Sequence, residues 1–529
     1  MELEPADFPI GIIGSGVMGR GIAQVAALAG FPVLLHDARP EAVGEAIGFV
    51  GKMIARLAEK GQLAQAAADK AAARVQATKD LQGFAGCRLV IEAIIEQVEP
   101  KQKLFQTLEG IIAPDAILAS NTSSLSITQI AAGTKRPERV AGFHFFNPVP
   151  LMKIVEAIAA VRTDPAIVDT LVAVARRIGF ACVRCQDSPG FLVNHAGRAF
   201  GTEGLRIVQE GIADTATVDN ILREAAQFRM GPFELMDLTA LDVSYPAMVA
   251  IYGQYYQEPR YRPSPLIERR FTAGLYGRKV GRGWYEYKDG AIVRPPERPV
   301  PATRPASVWI GPGDRVIRLA IGELAGRVGA AVDGTNPGPD SLCVLLPLGD
   351  DTTTTAKELG LDPKRTVAID AINGLKGRRT LMTTPVTEPA RRDAAHALLA
   401  VDDVPVSVIH DSPGFVTQRV VAMIVNLGCD IAQQRVAAPA DIDTGVKLGL
   451  GYPDGPLALG DKIGPSLVLT ILERLHAFYG DPRYRPSPWL KRRAMLGGSR
   501  LTPEACWPAS SRVCASSSAR RSLPHPWAA

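Results

Sequence analysis

The sequence predicts an α/β domain followed by an all-α domain, then a degenerate α/β segment and a second copy of the all-α domain. Three observations carry this reading. The first forty residues alternate strand, glycine-rich turn, helix and strand; helical periodicity takes over after Asp187; and a set of residues recurs about 224 positions later.

Phe8 to Ile13 is an apolar, Ile-rich run followed by Gly14-Ser15-Gly16-Val17-Met18-Gly19. Arg20 to Ala29 reads as a helix, and Phe31 to Leu35 as a second strand that ends at His36-Asp37. This is one βαβ unit. Residues 41–78 are Ala-rich and read as helices, while Leu89–Ile91, Ala116–Leu118 and Val140–Phe143 read as buried strands. Such alternation predicts a parallel, doubly wound sheet, a Rossmann domain over 1–186. Residues 187–288 form the expected helical domain, and 289–306, with five prolines and no apolar periodicity, a linker.

Asp187-Ser188-Pro189-Gly190-Phe191 recurs as Asp411-Ser412-Pro413-Gly414-Phe415, Gly231-Pro232 as Gly455-Pro456, and Asp237 as Asp461. Tyr261-Arg262-Pro263-Ser264-Pro265 recurs at 484–488. The helical domain is therefore duplicated over 406–497. Residues 307–405 read as a decayed Rossmann copy, with Trp309-Ile310-Gly311-Pro312-Gly313 imitating Ile12 to Gly16 and Val316 standing where the third glycine would be. The Ser-, Arg- and Pro-rich stretch 498–529 is expected to be a disordered tail.

Composition excludes several classes. The chain has 529 residues, 47% hydrophobic and 21% charged, proportions able to fill sizeable cores. A net charge of +5 without a Lys/Arg block gives no nucleic-acid signature, though it suits an anionic substrate. No run of apolar residues is long enough for a membrane span. No basic segment precedes an apolar run near Met1, so a cytoplasmic location is expected. Cys182 and Cys185 form a lone CxxC with no second ligand pair, so no metal is expected.

The glycine motif sits in the context that gives it meaning. Gly14 permits the tight turn, Gly16 lets the backbone approach a pyrophosphate at the helix N-terminus, and Gly19 lets helix and strand pack closely. Val17 and Met18 complete the turn. Asp37 ends the second strand, where a carboxylate accepts from ribose hydroxyls and repels a 2′-phosphate, favouring NAD over NADP. Ser120-Asn121-Thr122-Ser123-Ser124 is a polar cluster at a strand end, where ligands bind in open α/β sheets. His144 lies near the end of another strand, with Glu156 twelve residues on. Oxidation of an alcohol needs a base near neutral pKa, and a carboxylate on the other ring nitrogen would fix its tautomer. A core histidine is the structural alternative on these grounds.

The motifs SNTSS, GFHFFNPVPLMKIVE and DSPGFLVN, following GxGxxG, resemble the short-chain L-3-hydroxyacyl-CoA dehydrogenase family over residues 8–288. The resemblance implies NAD as cofactor and an acyl-CoA bound between the two domains. It implies His144 as general base, Glu156 as its partner, Ser123 on the substrate's 3-oxygen and Asn194 on the substrate oxygens. Glu96, Lys101 and Asn121 match positions lining the cofactor and substrate cleft. The structural alternatives are caps or turns for Ser123 and Asn194, and a solvated side chain for Lys101. The one-and-a-half-copy length resembles the members of phenylacetate catabolism, which act on 3-hydroxyadipyl-CoA. A 3-hydroxybutyryl-CoA enzyme of short-chain fatty acid metabolism is the near alternative. A gulonate-type hydroxy-acid dehydrogenase and a non-catalytic, crystallin-like NAD-binding protein are the distant ones.

The second half lacks this chemistry: Gln418 stands in the place of Asn194, and a loose alignment of Val367–Ala371 with Val140–His144 puts Ala371 in the place of the base. One active site per chain is expected. In shorter members the helical domain is where two subunits meet, so the second copy is expected to imitate that interface as an intrachain pseudo-dimer. A homo-oligomer is compatible with the same resemblance.

Overall fold

The computed structural model describes residues 4–503. The first domain is an eight-stranded sheet: β1 (Ile10–Ile13), β2 (Val33–His36), β3 (Val75–Ala77), β4 (Leu89–Glu92), β5 (Ile117–Ser120), β6 (Val140–Phe145), β7 (Ile154–Ala159) and β8 (Ala181–Gln186). Their order is β3-β2-β1-β4-β5-β6-β7-β8. The inner strands β1, β4, β5 and β6 are buried along their whole length, as a sheet covered on both faces requires.

Two details depart from the expected pattern. β7 runs antiparallel to β6, because residues 146–153 hold no crossover helix and the chain can only turn back. Val75–Ala77, inside the stretch expected to be helical, is an edge strand paired with β2; long-range pairing overrides the Ala-rich surroundings.

The helical domain begins at Val193–Ala196 and Arg198–Gln209 and ends at Pro265–Thr272. The segment expected as a linker starts instead as a hairpin, β9 (Glu286–Lys288) with β10 (Ala291–Val293), and is tied down by Arg294 on Glu234 and Arg378 on Glu297. The second sheet comprises β11 (Ser307–Ile310), β12 (Ala331–Val332), β13 (Leu342–Leu345), β14 (Thr366–Ile369), β15 (Arg379–Thr383) and β16 (Val406–Ile409), ordered β12-β11-β13-β14-β15-β16. β14 and β15 repeat the antiparallel reversal of β6 and β7. Among the described residues, the counterparts of β3 and of β4 with its following helix are missing.

The repeated residues are turn and capping residues. Asp187 accepts from the Thr128 amide, and Asp411 from the Thr352 amide. Asp219 caps the helix at Phe233 and Glu234, as Asp443 does at Leu457 and Ala458. Asp237 accepts from the Trp284 amide, and Asp461 from the Arg500 amide. This last contact corrects the expected start of the tail. Arg500 is fully buried, with its guanidinium on Asp461 and its carbonyl accepting from Trp489, so residues 498–502 belong to the second helical copy. Residues 504–529 lie outside the described residues.

The two helical copies pack on each other through reciprocal contacts. The Gln186 amide donates to the Val436 carbonyl at 2.8 Å, and the His410 amide donates to the Ile212 carbonyl at 3.0 Å. Each residue of the first pair is 224 positions from one of the second. The helices Arg198–Gln209 and Thr417–Gln433 face one another, and Arg419, fully buried, donates to Glu203 at 2.8 Å and Glu210 at 2.8 Å.

Candidate active site

The C-terminal ends of β1, β4, β5 and β6 converge beside the start of the helical domain. At β1, Gly14 has φ +101°, a conformation that suits glycine, and a Cβ at Gly19 would fall 1.7 Å from the Gly14 carbonyl oxygen. A Cβ at Gly16 would meet nothing within 4 Å. Gly16 is also the N-cap of the helix Val17–Leu28 and supplies no capping side chain. The turn thus leaves open space over helix amides, the cradle an anion takes. Val17 is exposed and Met18 half-buried at its rim. Asp37 accepts from the Ser15 amide and hydroxyl, each at 2.8 Å. Partial burial opposes its ionisation, but bonds from Ser15 and Arg39 prevail and hold the carboxyl below its usual range.

β6 and β7 place the imidazole and its carboxylate. His144 stands directly opposite Glu156 in the antiparallel register, so both side chains leave the same face of the sheet. His144 Nδ1 lies 2.6 Å from Glu156 Oε2. The other oxygen, Oε1, accepts from the Leu192 amide at 3.0 Å and the Val193 amide at 2.9 Å, where the helical domain begins. Glu156 is fully buried. His144 Nε2 has no hydrogen-bond partner among the described residues. Phe146 and Phe191 flank the ring at 4.5 Å and 6.0 Å between centroids.

The SNTSS turn closes the site from β5. Glu96 gathers it, accepting from the Thr122 hydroxyl, the Ser123 amide and Ser124. Burial opposes a charge on Glu96, yet Lys101 and these bonds hold its carboxyl low. Lys101, only 1% exposed, donates to both oxygens of Glu92 and lies 3.4 Å from Glu96, so it is neither solvated nor on the cleft wall. Asn121 Oδ1 accepts from the Phe145 amide and ties β5 to β6. Ser126, not Ser123, caps the helix Ile127–Ala131. The Ser123 hydroxyl makes no hydrogen bond among the described residues. Asn194 Nδ2 crosses from the helical domain to the Ser123 carbonyl at 3.4 Å. Sequence reasoning missed Glu92; its signal is an acid at the end of the apolar strand Leu89-Val90-Ile91, nine residues before a lysine.

Residues 9–188 match the family model described as "3-hydroxyacyl-CoA dehydrogenase, NAD binding domain", and residues 190–287 and 414–501 each match "3-hydroxyacyl-CoA dehydrogenase, C-terminal domain". The chain belongs to the 3-hydroxyacyl-CoA dehydrogenase family. Its reaction class is NAD-dependent oxidation of a 3-hydroxyacyl-CoA. It is 35% identical, over 92% of its length and 97% of the relative's, to 3-hydroxyadipyl-CoA dehydrogenase of Escherichia coli K12. It is 41% identical to a probable 3-hydroxybutyryl-CoA dehydrogenase of Deinococcus radiodurans, over 52% of this chain and 99% of the relative. The solved structure of 3-hydroxybutyryl-CoA dehydrogenase from Escherichia coli K12 superposes with a TM-score of 0.82 at 34% identity, covering 93% of this chain and 99% of that one.

Within this dehydrogenase, the second copy keeps the frame of the site and loses its chemistry. The pairing of β14, β15 and β16 puts Asp370 opposite Thr380, and Thr380 beside Ser407, as His144 stands opposite Glu156 and Glu156 beside Val183. The counterpart of the base is therefore Asp370, not Ala371. A two-residue length difference before β14, compensated after it, shifts the alignment there. Gln418 Nε2 donates to the Pro347 carbonyl at 3.2 Å, as Asn194 does to Ser123, and to Asp370 at 3.0 Å. At the glycine turn, Asp314 caps the following helix through the Val316 and Ile317 amides, filling an anion's place with a carboxylate. Among the described residues, no group of side chains could hold a metal ion, and no helix is long and apolar enough to cross a membrane. The CxxC thiols of Cys182 and Cys185 are pushed up by burial, Cys182 to about 12.

Proposed function

We propose that this dehydrogenase acts on an (S)-3-hydroxyacyl-CoA whose acyl group is 3-hydroxyadipyl, with His144 as its base. The observation that carries the role of the base is the His144–Glu156 pair at 2.6 Å, with Nε2 free in a cleft bridged by Asn194 and Ser123. Glu156 holds Nδ1 protonated, so Nε2 presents its lone pair to the substrate hydroxyl. His144 takes the hydroxyl proton, and the Glu156 carboxylate, itself fixed by two backbone amides, offsets the imidazolium charge. The Ser123 hydroxyl and the Asn194 amide hold the substrate's oxygens, fixing the C3 hydrogen toward the cofactor side. Phe146 and Phe191 limit water around the ring.

NAD, when bound, supplies the acceptor for the hydride from C3. The residues present fit it. The space beside Gly16 and the uncapped helix end suit its pyrophosphate, with Gly14, Val17, Met18 and Gly19 forming the turn, and the ionised Asp37 suits ribose hydroxyls rather than a 2′-phosphate. Glu96 shapes the wall between cofactor and substrate. Lys101 and Asn121 act behind that wall as positioning residues.

The full-length Escherichia coli relative supports the dicarboxylic acyl group because it matches both copies. The half-length Deinococcus relative and the full-length solved structure from Escherichia coli K12 are both named for 3-hydroxybutyryl-CoA, the second reading. The second helical copy takes the place of a partner subunit, making the chain an intrachain pseudo-dimer. The reciprocal Gln186–Val436 and His410–Ile212 bonds support this. The same reading puts the enzyme in the cytoplasm, where its free thiols stay reduced.

The test is NADH formation with 3-hydroxyadipyl-CoA and (S)-3-hydroxybutyryl-CoA in parallel. Faster turnover of the dicarboxylic thioester supports the reading, preference for the short one selects the second, and activity on neither overturns both.

A further inference from the structure

Arg198 begins the helix that carries one side of the active-site cleft, four residues after Asn194. Side chains on a helix lean toward its N-terminus, and Arg198 Nε donates to the Asn194 carbonyl at 2.9 Å. The guanidinium therefore lies one turn from the amide proposed to hold the substrate oxygens. It is half-buried, yet among the described residues it has no ion pair and no second hydrogen bond. An unpaired, partly desolvated guanidinium is costly unless something completes it.

A second orphan sits nearby. Tyr452, in the loop after the helix Pro439–Leu450 of the second copy, is 5% exposed, its ring packed on Phe200 and Phe228. Its hydroxyl is buried without a hydrogen-bond partner. Burial keeps that hydroxyl protonated, and it is close enough to Arg198 for the two to interact electrostatically. The duplicated helix shows that packing alone does not ask for this cation: the counterpart of Arg198, 224 positions on, is the buried Ala422. The copy without the His–Glu pair is the copy without the arginine.

We infer that Arg198 and Tyr452 form a subsite for an anionic group of the substrate, the carboxylate at the far end of the acyl chain. This rests on the acyl-CoA reading above and deepens it. In a 3-hydroxyadipyl chain that carboxylate is three carbon–carbon bonds beyond C3, on the side away from the thioester. The guanidinium supplies charge and paired donors, and the tyrosine supplies one more donor. The second helical copy then contributes a residue to the site of the first. A CoA phosphate is the other source of negative charge.

The experiment measures kcat/KM for 3-hydroxyadipyl-CoA and 3-hydroxybutyryl-CoA on the full chain and on Arg198→Met, Arg198→Lys and Tyr452→Phe. Arg198→Met is expected to lower the dicarboxylic-to-monocarboxylic ratio about tenfold or more, Arg198→Lys by less, and Tyr452→Phe about two- to fivefold. Tyr452→Phe removes only a hydroxyl and reads the same ratio should Arg198→Met fail to fold. Equal losses on both thioesters would assign the anion to CoA and overturn the subsite, as would an unchanged ratio in all three variants. A wild-type chain that turns over neither thioester would instead overturn the acyl-CoA reading itself.

Discussion

The two halves of this chain share a frame and differ in what the frame presents. Asp187 and Asp411, Asp219 and Asp443, and Asp237 and Asp461 make the same caps, and Phe191 and Phe415 share the same left-handed backbone at φ 51°. Where the first copy carries His144, Glu156, Ser123, Asn194 and Gly19, the second carries Asp370, Thr380, Pro347, Gln418 and Val316. The conserved set answers to backbone groups that must be satisfied in any copy of the fold. The altered set is the one that the proposed reaction uses.

A second contrast lies at the contact between copies. His195 sits in a cage of Tyr255 and Tyr261, pushed down to about 3 by burial and therefore neutral, so it is no second base. Its counterpart Arg419 keeps the equivalent cage of Tyr479 and Tyr484 but reaches across to Glu203 and Glu210 of the first copy. The second copy has exchanged a neutral group for a charge that locks it onto the first.

The sharpest way to break this comparison is at the base. His144→Gln is expected to lower kcat about a thousandfold while NAD still binds, whereas Asp370→Asn leaves NADH formation unchanged. A matching loss in Asp370→Asn would mean the second copy takes part in the reaction.

At the contact, Arg419→Met removes one of the two arginines on the fully buried Glu203, which keeps Arg483 at 3.0 Å, and is expected to cost about 2–3 kcal/mol in urea-induced unfolding. A variant as stable as the wild type would show that the copies are held by apolar packing alone.

Asp370 sharpens the contrast through pH. Burial raises its carboxyl to about 6, against its hydrogen bond from Gln418. A raised carboxyl destabilises the fold as pH climbs from the unfolded value of about 4 through 6. Asp370→Asn is therefore expected to stabilise the chain by about 1–3 kcal/mol at pH 7, with the gain vanishing near pH 4. Denaturant titrations at the two pH values check it.

The smallest expected effect is at the glycine turn. Gly16→Ala places a methyl group in open space, so the melting temperature should hold while the Kd for NAD rises about tenfold by calorimetry. A fall in stability without a change in Kd would make this glycine a structural one.

Much of this was legible in the sequence, because glycine spacing, strand ends and repeated caps are local signals. His144 and Glu156 stand out twelve residues apart, but that they face each other follows from an antiparallel register, a long-range property no local pattern encodes. The misplacement of Ala371 has the same origin: compensating length changes around β14 are visible only once Asp370 is paired with Thr380. The hairpin at Ala291–Val293 and the buried Arg500 were hidden by Pro- and Ser-rich surroundings, since their order comes from partners far along the chain. Lys101 read as a cleft residue, with a solvated side chain as the alternative, because nothing local shows that Glu92, at the end of an apolar strand, is its partner.

The central claim is one cofactor site per chain, in the first copy. Calorimetric titration of the full chain with NADH tests it most directly. The account predicts one NADH per chain, lost on disruption of the Gly14–Gly19 turn. Two equivalents per chain, or binding that survives that disruption, would contradict it.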